Sequence, residues 1–181
     1  ISGASVTTIA KATSVPAQNL AVNVPNQPLG GYVTNFTGEA VSVQSSVFTI
    51  ATSSGQSGYI TSVSIYDENG VVVAGPVDAS GVGSTLTFTD TITYPIGLHT
   101  YTLKGKLPST YTNGGTIQLS TNPSTGWTSV TGQTTGNTVT LSTTSFTLNT
   151  MTVRAAALTI GLSTSPSAQT IVAGGQAVTF A

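Results

Sequence analysis

Thr85-Leu86-Thr87-Phe88-Thr89-Asp90-Thr91-Ile92-Thr93-Tyr94 decides the fold class: Leu86, Phe88, Ile92 and Tyr94 share one face, with Thr at every position between except Asp90. A period of two is the signature of a strand with one buried side, and β-branched Thr suits the other side. Asp90 breaks the pattern because it falls on the apolar face, where an unpaired carboxylate is costly. It reads as an edge residue, or as one hydrogen-bonded to loop amides.

The same alternation extends in both directions. Upstream, Val41, Val43 and Ser45 share a face; the phase then slips near Val47-Phe48, where Phe48 and Ile50 continue on the other face, as at a bulge. Thr61, Val63 and Ile65 lead into Asn69-Gly70, a pair suited to a type I′ turn, and Val71-Val72-Val73 returns. Ala74 to Gly83 reads as a loop, given Gly75-Pro76 and two further glycines. Downstream, Pro95-Ile96-Gly97 turns the chain into His99-Tyr101-Leu103, and a loop runs from Leu107 to Gly115. Short strands follow near Thr116 to Ser120, Trp127 to Val130 and Thr138 to Leu141, then two apolar pairs, Phe146/Leu148 and Met151/Val153.

About nine or ten short strands joined by Gly, Pro and Asn turns describe an all-β chain and a β-sandwich. An immunoglobulin-like sandwich is the first expectation, with a jelly roll as the alternative. The Cys-Trp-Cys pattern of antibody domains is missing, since the chain has no cysteine. The sandwich is expected over residues 1–156, with residues 157–181 as a C-terminal strand extension.

That extension repeats the head. Thr159-Ile160, Thr164-Ser165, Ala168-Gln169 and Ile171 align with Thr8-Ile9, Thr13-Ser14, Ala17-Gln18 and Leu20 at an offset of 151 residues. Gly174-Gly175 and Phe180 align with Gly30-Gly31 and Phe36 at an offset of 144, so the head carries seven extra residues around Asn23 to Leu29. One complete unit is thus followed by the first strands of a second. Leu158, Ile160, Leu162, Ile171, Val172, Val178 and Phe180 form its apolar set and the expected assembly interface.

Composition narrows the function. Only 5% of the 181 residues are charged, against about 25% in ordinary soluble proteins. Four basic residues and a net charge of −1 leave no electrostatic footprint for nucleic acid. So few charges give little repulsion between copies, which suits packing against copies of the same chain. Mean hydropathy is +0.24, yet no run approaches the roughly 20 apolar residues of a membrane helix, so no span is expected. No basic segment followed by an apolar run opens the chain, as a signal peptide would.

The candidates for chemistry are few. His99 is the only histidine and no G-x-S-x-G elbow is present, so neither a triad nor a histidine metal site is assembled in the sequence. Asp67-Glu68-Asn69 is the one acid cluster, and as hairpin-turn residues these need no calcium ion. Lys11, with an Asn and Glu39 or Asp90, supplies the residue types of a covalent Lys–Asn cross-link but no supporting spacing. These counts lead to the expectation that the protein is not an enzyme and takes no cofactor. Asn35-Phe36-Thr37 is a glycosylation sequon, of a kind that arises often in a Thr-rich chain. Trp127 and Tyr111, in loop-like context, are the residues that would contact a glycan if the sandwich were an adhesive module.

Two phrases, Ser165-Pro166-Ser167-Ala168-Gln169-Thr170-Ile171-Val172-Ala173-Gly174-Gly175 and Val130-Thr131-Gly132-Gln133-Thr134-Thr135-Gly136-Asn137-Thr138, resemble repeat domains in large secreted surface proteins of uncultured, small-celled bacteria. Met151-Thr152-Val153-Arg154-Ala155-Ala156-Ala157-Leu158-Thr159-Ile160 is similar to their links from one domain into the next. The resemblance implies a Thr-rich building block at the cell surface and carries over no catalytic residues. In logic alone the tail also resembles subunits of pilus-like fibres that lend a strand to a neighbour. The expected function is a structural subunit of an extracellular fibre or surface layer, joined head to tail by β-strand addition; the alternative is glycan binding.

Overall fold

The computed structural model describes residues 3–155 together with Gly174. Its elements in chain order are β1 (Ser5–Lys11), β2 (Asn19–Ala21), β3 (Gln27–Thr37), β4 (Val41–Val43), β5 (Ser45–Thr52), β6 (Thr61–Tyr66), β7 (Val72–Val77) and β8 (Thr85–Phe88). There follow β9 (Ile92–Tyr94), β10 (Gly97–Lys106), β11 (Thr116–Thr121), one helical turn α1 (Pro123–Gly126), β12 (Trp127–Thr128), β13 (Thr131–Gly132), β14 (Phe146–Thr147) and β15 (Met151–Arg154). The chain is all-β, as its alternation requires.

One sheet runs β1-β3-β10-β6-β7; a second runs β12-β5-β11-β15-β2, with β8 also on β5 and β14 on β11; a short third is β13-β4-β9. The first packs face to face against the other two through aromatic side chains. Tyr32 of the first sheet meets Phe48 and Trp127 of the second at ring-centroid distances of 5.5 and 5.7 Å. Tyr94 of the third meets Tyr101 of the first at 5.0 Å and stacks on Trp127 at 5.5 Å. The Tyr32 and Tyr94 hydroxyls bond each other at 2.9 Å, which satisfies two polar groups that the core would otherwise strand. Burial pushes both phenols upward.

The ten-residue stretch that announced the fold is two strands. β8 pairs with β5 in the second sheet, whereas β9 pairs with β4 in the third. Their partners separate at the same level: Val43 faces Ile92 and Ser46 faces Phe88, so Gln44-Ser45 opposes the three residues Thr89-Asp90-Thr91. The extra residue is a bulge that lets both strands change sheets together. The slip therefore falls at Gln44-Ser45, not at Val47-Phe48, and Ser46, Phe48 and Ile50 all face the core. Asp90 sits at this joint, exposed, and accepts a hydrogen bond from the Gly75 N–H at 2.8 Å.

Three local readings need correction. In the β6–β7 hairpin only Gly70 of the Asn69-Gly70 pair has positive φ, at 78°, so the turn is not type I′. Asp67 organises it instead: its carbonyl accepts from Gly70 N–H at 3.1 Å, and its carboxylate accepts from the N–H groups of Asn69 and Val71 at 2.9 and 2.8 Å. β7 then continues through Gly75-Pro76, whose peptide is cis, and the loop starts only after Val77. Residues 138–141 hold one bridge, Thr138 to Thr131, rather than a strand, although Val139 and Leu141 still face inward.

β3 spans the body and defines its axis. At one end, Ser5 and Val6 of β1 pair with Thr37 and Phe36, and Gly97 of β10 pairs with Phe36. At the other, Gln27 pairs with Gly105 and accepts from Ala21 N–H at 2.7 Å, and Ala21 lies in register with Arg154 in a parallel β2–β15 pair. The chain thus comes in at a leading end beside Thr37 and leaves at a trailing end beside Gln27. At the rise of a strand, ten steps of β3 separate the two ends by about 33 Å.

Candidate functional site

At the leading end the turn Gly38-Glu39-Ala40 follows β3, and Glu39 is 4% exposed. Its carboxylate accepts from the Ala4 N–H at 3.2 Å, the Thr135 N–H at 2.9 Å, the Thr134 N–H and the Thr135 hydroxyl. The Thr135 hydroxyl and these backbone N–H groups outweigh desolvation and lower its pKa from 4.5 to about 2. One carboxylate thereby ties together the incoming chain, the β3–β4 turn and the loop after β13. Gly132 is needed beside it, because a Cβ there would run into Oε1 of Glu39. The Gln133 N–H adds a bond to the Ala40 carbonyl at 2.9 Å. Nothing in the sequence links Glu39 to Thr134-Thr135 about a hundred residues on; its only earlier signal was as an acid for a Lys11 cross-link.

That cross-link is not assembled. Lys11 is exposed and pairs with Tyr32, while Glu39 lies past Thr37 at the far end of the same ladder.

His99 lies near the leading end, on the inner-facing row of β10. Its Nδ1 is 2.7 Å from Glu68 Oε1 and its Nε2 is 3.0 Å from the Ile96 carbonyl. Both ring nitrogens face acceptors, so the imidazolium satisfies the geometry best; the Glu68 bond raises the His99 pKa and lowers that of Glu68. Glu68 also accepts from the Thr100 N–H at 3.3 Å. The pair fastens the β6–β7 hairpin to β10, beside a cavity of about 300 Å³ lined by Thr93, Pro95 and Tyr101. Among the described residues no group of His, Cys, Asp or Glu is placed to hold a metal ion.

The glycan contacts expected at Trp127 and Tyr111 are not available as a platform. Trp127 is 3% exposed, stacks on Tyr94 and donates its indole N–H to the Thr121 hydroxyl at 3.1 Å. Tyr111 is 2% exposed. The loop positions that suggested exposure fold back into the core, where each ring buries its area. Trp127 does border an apolar recess of about 300 Å³ on the flank, with Pro123, Val130, Val139 and Leu141. Asn35 is half-buried within β3, in register with Thr8 and Leu98. Leu158, Ile160, Leu162, Ile171, Val172, Val178 and Phe180 lie outside the described residues.

The head, whose sequence the tail repeats, is described from Gly3 onward. Leu20 and Phe36 are buried, Gly30 packs under Leu148, and a Cβ on Gly31 would come within 2.8 Å of the Val15 Cβ. The positions shared with Ile171, Phe180, Gly174 and Gly175 are therefore ones that packing constrains.

No helix among the described residues is long and apolar enough to cross a membrane. The chain matches no known family model, and neither a characterised protein nor a solved structure shows significant similarity to it. The class rests on the fold alone: a β-sandwich whose first and last described strands, β1 and β15, begin and end at opposite poles.

Proposed function

We propose that this chain is a structural module of an extracellular fibre or surface layer, in which sandwiches follow one another head to tail along one polypeptide. The observation that carries this reading is a match of lengths. The strands and their closing residue run from Ser5 to Ala155, which is 151 residues, and the tail repeats the head at an offset of 151. The tail thus starts where one unit is complete, and its counterparts to Leu20, Gly30, Gly31 and Phe36 are the residues a second β1–β2–β3 needs.

Opposite poles favour a linear array over a closed pair. Donation of the tail to a neighbour's head slot is disfavoured, since that slot is filled: β3 sits between β1 and β10, and β2 already pairs with β15. The division of the head between both sheets, antiparallel in one and parallel in the other, favours the immunoglobulin-like type over the jelly roll. Sparse charge suits a surface that lies against copies of itself. We read the protein as structural rather than catalytic, with other copies of the unit as its partners.

Replacing the head by the tail tests this. A chain of residues 156–181 followed by 38–155 keeps the alignment, because Ala181 stands where Thr37 does. It is expected to give a β-type circular dichroism spectrum and cooperative unfolding, whereas residues 38–155 alone do not. If residues 1–155 fold and the tail-headed chain stays unfolded, the tail is not a second head.

A further inference from the structure

Five of the seven large apolar side chains exposed in the described body lie at the two poles. Tyr59 (55% exposed), Val24 and Val82 lie at the trailing end: Tyr59 precedes the Thr61–Lys106 pair, Val24 accepts from Gln27, and Val82 precedes Ser84, which bonds Ile50 near the end of β5. Ile96 and Leu98, 53% and 63% exposed, lie at the leading end around Gly97. The other large apolar residues exposed in the described body, Val71 and Val72, lie on the β6–β7 hairpin beside Asp67, on its side toward the leading end. Charge is polarised along the same axis. Lys104, Lys106 and Arg154 lie toward the trailing end with Asp78, whereas Glu39, Asp67 and Glu68 lie toward the leading end with His99.

The junction leaves almost no slack. β15 ends at Arg154, and the repeat offset places the counterpart of Ser5 at residue 156. One residue, Ala155, lies between, and it is the counterpart of Ala4. In this body the Ala155 N–H bonds Asn113 Oδ1 at 3.3 Å, and the Ala4 N–H bonds Glu39.

We infer that consecutive sandwiches abut, the trailing face of one (Val24, Tyr59, Val82) seated on the leading face of the next (Ile96, Leu98), with Ala155 as the single connecting residue, its one N–H given either to Asn113 of the first or to Glu39 of the second. The occupant of each end face is a second copy of this sandwich. A one-residue connection brings the faces together, apolar area favours their contact, and opposite charge at the poles selects head-to-tail over head-to-head seating. The array is then a stiff rod rather than beads on a string.

This inference rests on the proposed array, and the experiment separates the two. A two-unit chain is made with Ala155 followed directly by residues 5–155, each body closing its own core. The protein lacks cysteine, so Thr87→Cys in both copies, on the exposed face of β8, gives two unique spin-label sites. The label separation is expected to be a single narrow distribution. Ile96→Ser with Leu98→Ser in the second copy, or Gly-Ser-Gly inserted after Ala155, is expected to widen it at least twofold. Single bodies with the same serines keep their unfolding midpoint, because both side chains are exposed. A broad distribution in the unsubstituted chain, or a width that the serines do not change, overturns abutment and leaves the array standing. Failure of the tail-headed chain to fold overturns the array itself.

Discussion

Glu39 holds the backbone N–H of Ala4 at 3.2 Å, and through that bond the incoming chain is fixed to the turn that begins β4. The same carboxylate holds Thr134 and Thr135, so the leading pole is set by one ionised side chain. Its pKa is lowered from 4.5 to about 2, so the bonded, charged form stabilises the fold above about pH 4.5. That contribution is lost as pH falls from about 4.5 through about 2. In Glu39→Gln, urea unfolding at neutral pH is expected to show lower stability and a flatter dependence across this acid range. An unchanged acid slope would mean that Glu39 is not the titrating group.

The His99–Glu68 pair has the opposite sign on its basic side. His99 is raised above 6.5, so its contribution is complete below pH 6.5 and is lost as pH rises through the raised value. Glu68 is lowered, so its contribution is lost on the acid side, as pH falls from its ordinary 4.5 through the lowered value. Stability owed to the pair is greatest between these limits. His99→Gln is expected to remove the fall on the alkaline side, read by unfolding midpoints from pH 6 to 9. The imidazole titration followed by NMR should move down toward 6.5 in Glu68→Gln.

Trp127→Ala is expected to destabilise the body by about 3–5 kcal/mol, the range for deleting a large buried ring. Urea unfolding with an unchanged m-value would read this. A folded Trp127→Ala body of undiminished stability would contradict its place between Tyr94 and Tyr32.

Gly31→Ala is expected to cost about 1–3 kcal/mol through overpacking. The new methyl would meet Val15 and lie 3.2 Å from the Tyr101 carbonyl, in the middle of a three-strand ladder that cannot shift cheaply. Gly175, which repeats Gly31, is then expected to show the same sensitivity in the tail-headed chain.

The class of fold was legible because alternation is a backbone property: Leu86, Phe88, Ile92 and Tyr94 face inward as their spacing demands. The sheet to which each strand belongs was not. Asp90 and the slip, read from the sequence near Val47-Phe48 and found at Gln44-Ser45, marked a change of sheet, yet either alone reads as a local defect; only the register of β4–β9 against β5–β8 joins them. Trp127 and Tyr111 were placed outside because loop composition says nothing about which way a loop folds back. Glu39 was illegible as a clamp, since its donors come from Ala4 and Thr134-Thr135, set by tertiary structure alone. The repeat was legible, and the structure adds that only Ala155 lies between the end of β15 and the counterpart of Ser5.

The mass of the intact polypeptide isolated from its native source tests the central claim most directly. The 181 residues weigh 18.2 kDa, so a 151-residue unit adds about 15 kDa. A chain of sandwiches joined head to tail predicts a mass well above 18.2 kDa, with limited proteolysis releasing fragments spaced by about that increment. A native polypeptide of 18.2 kDa would contradict it.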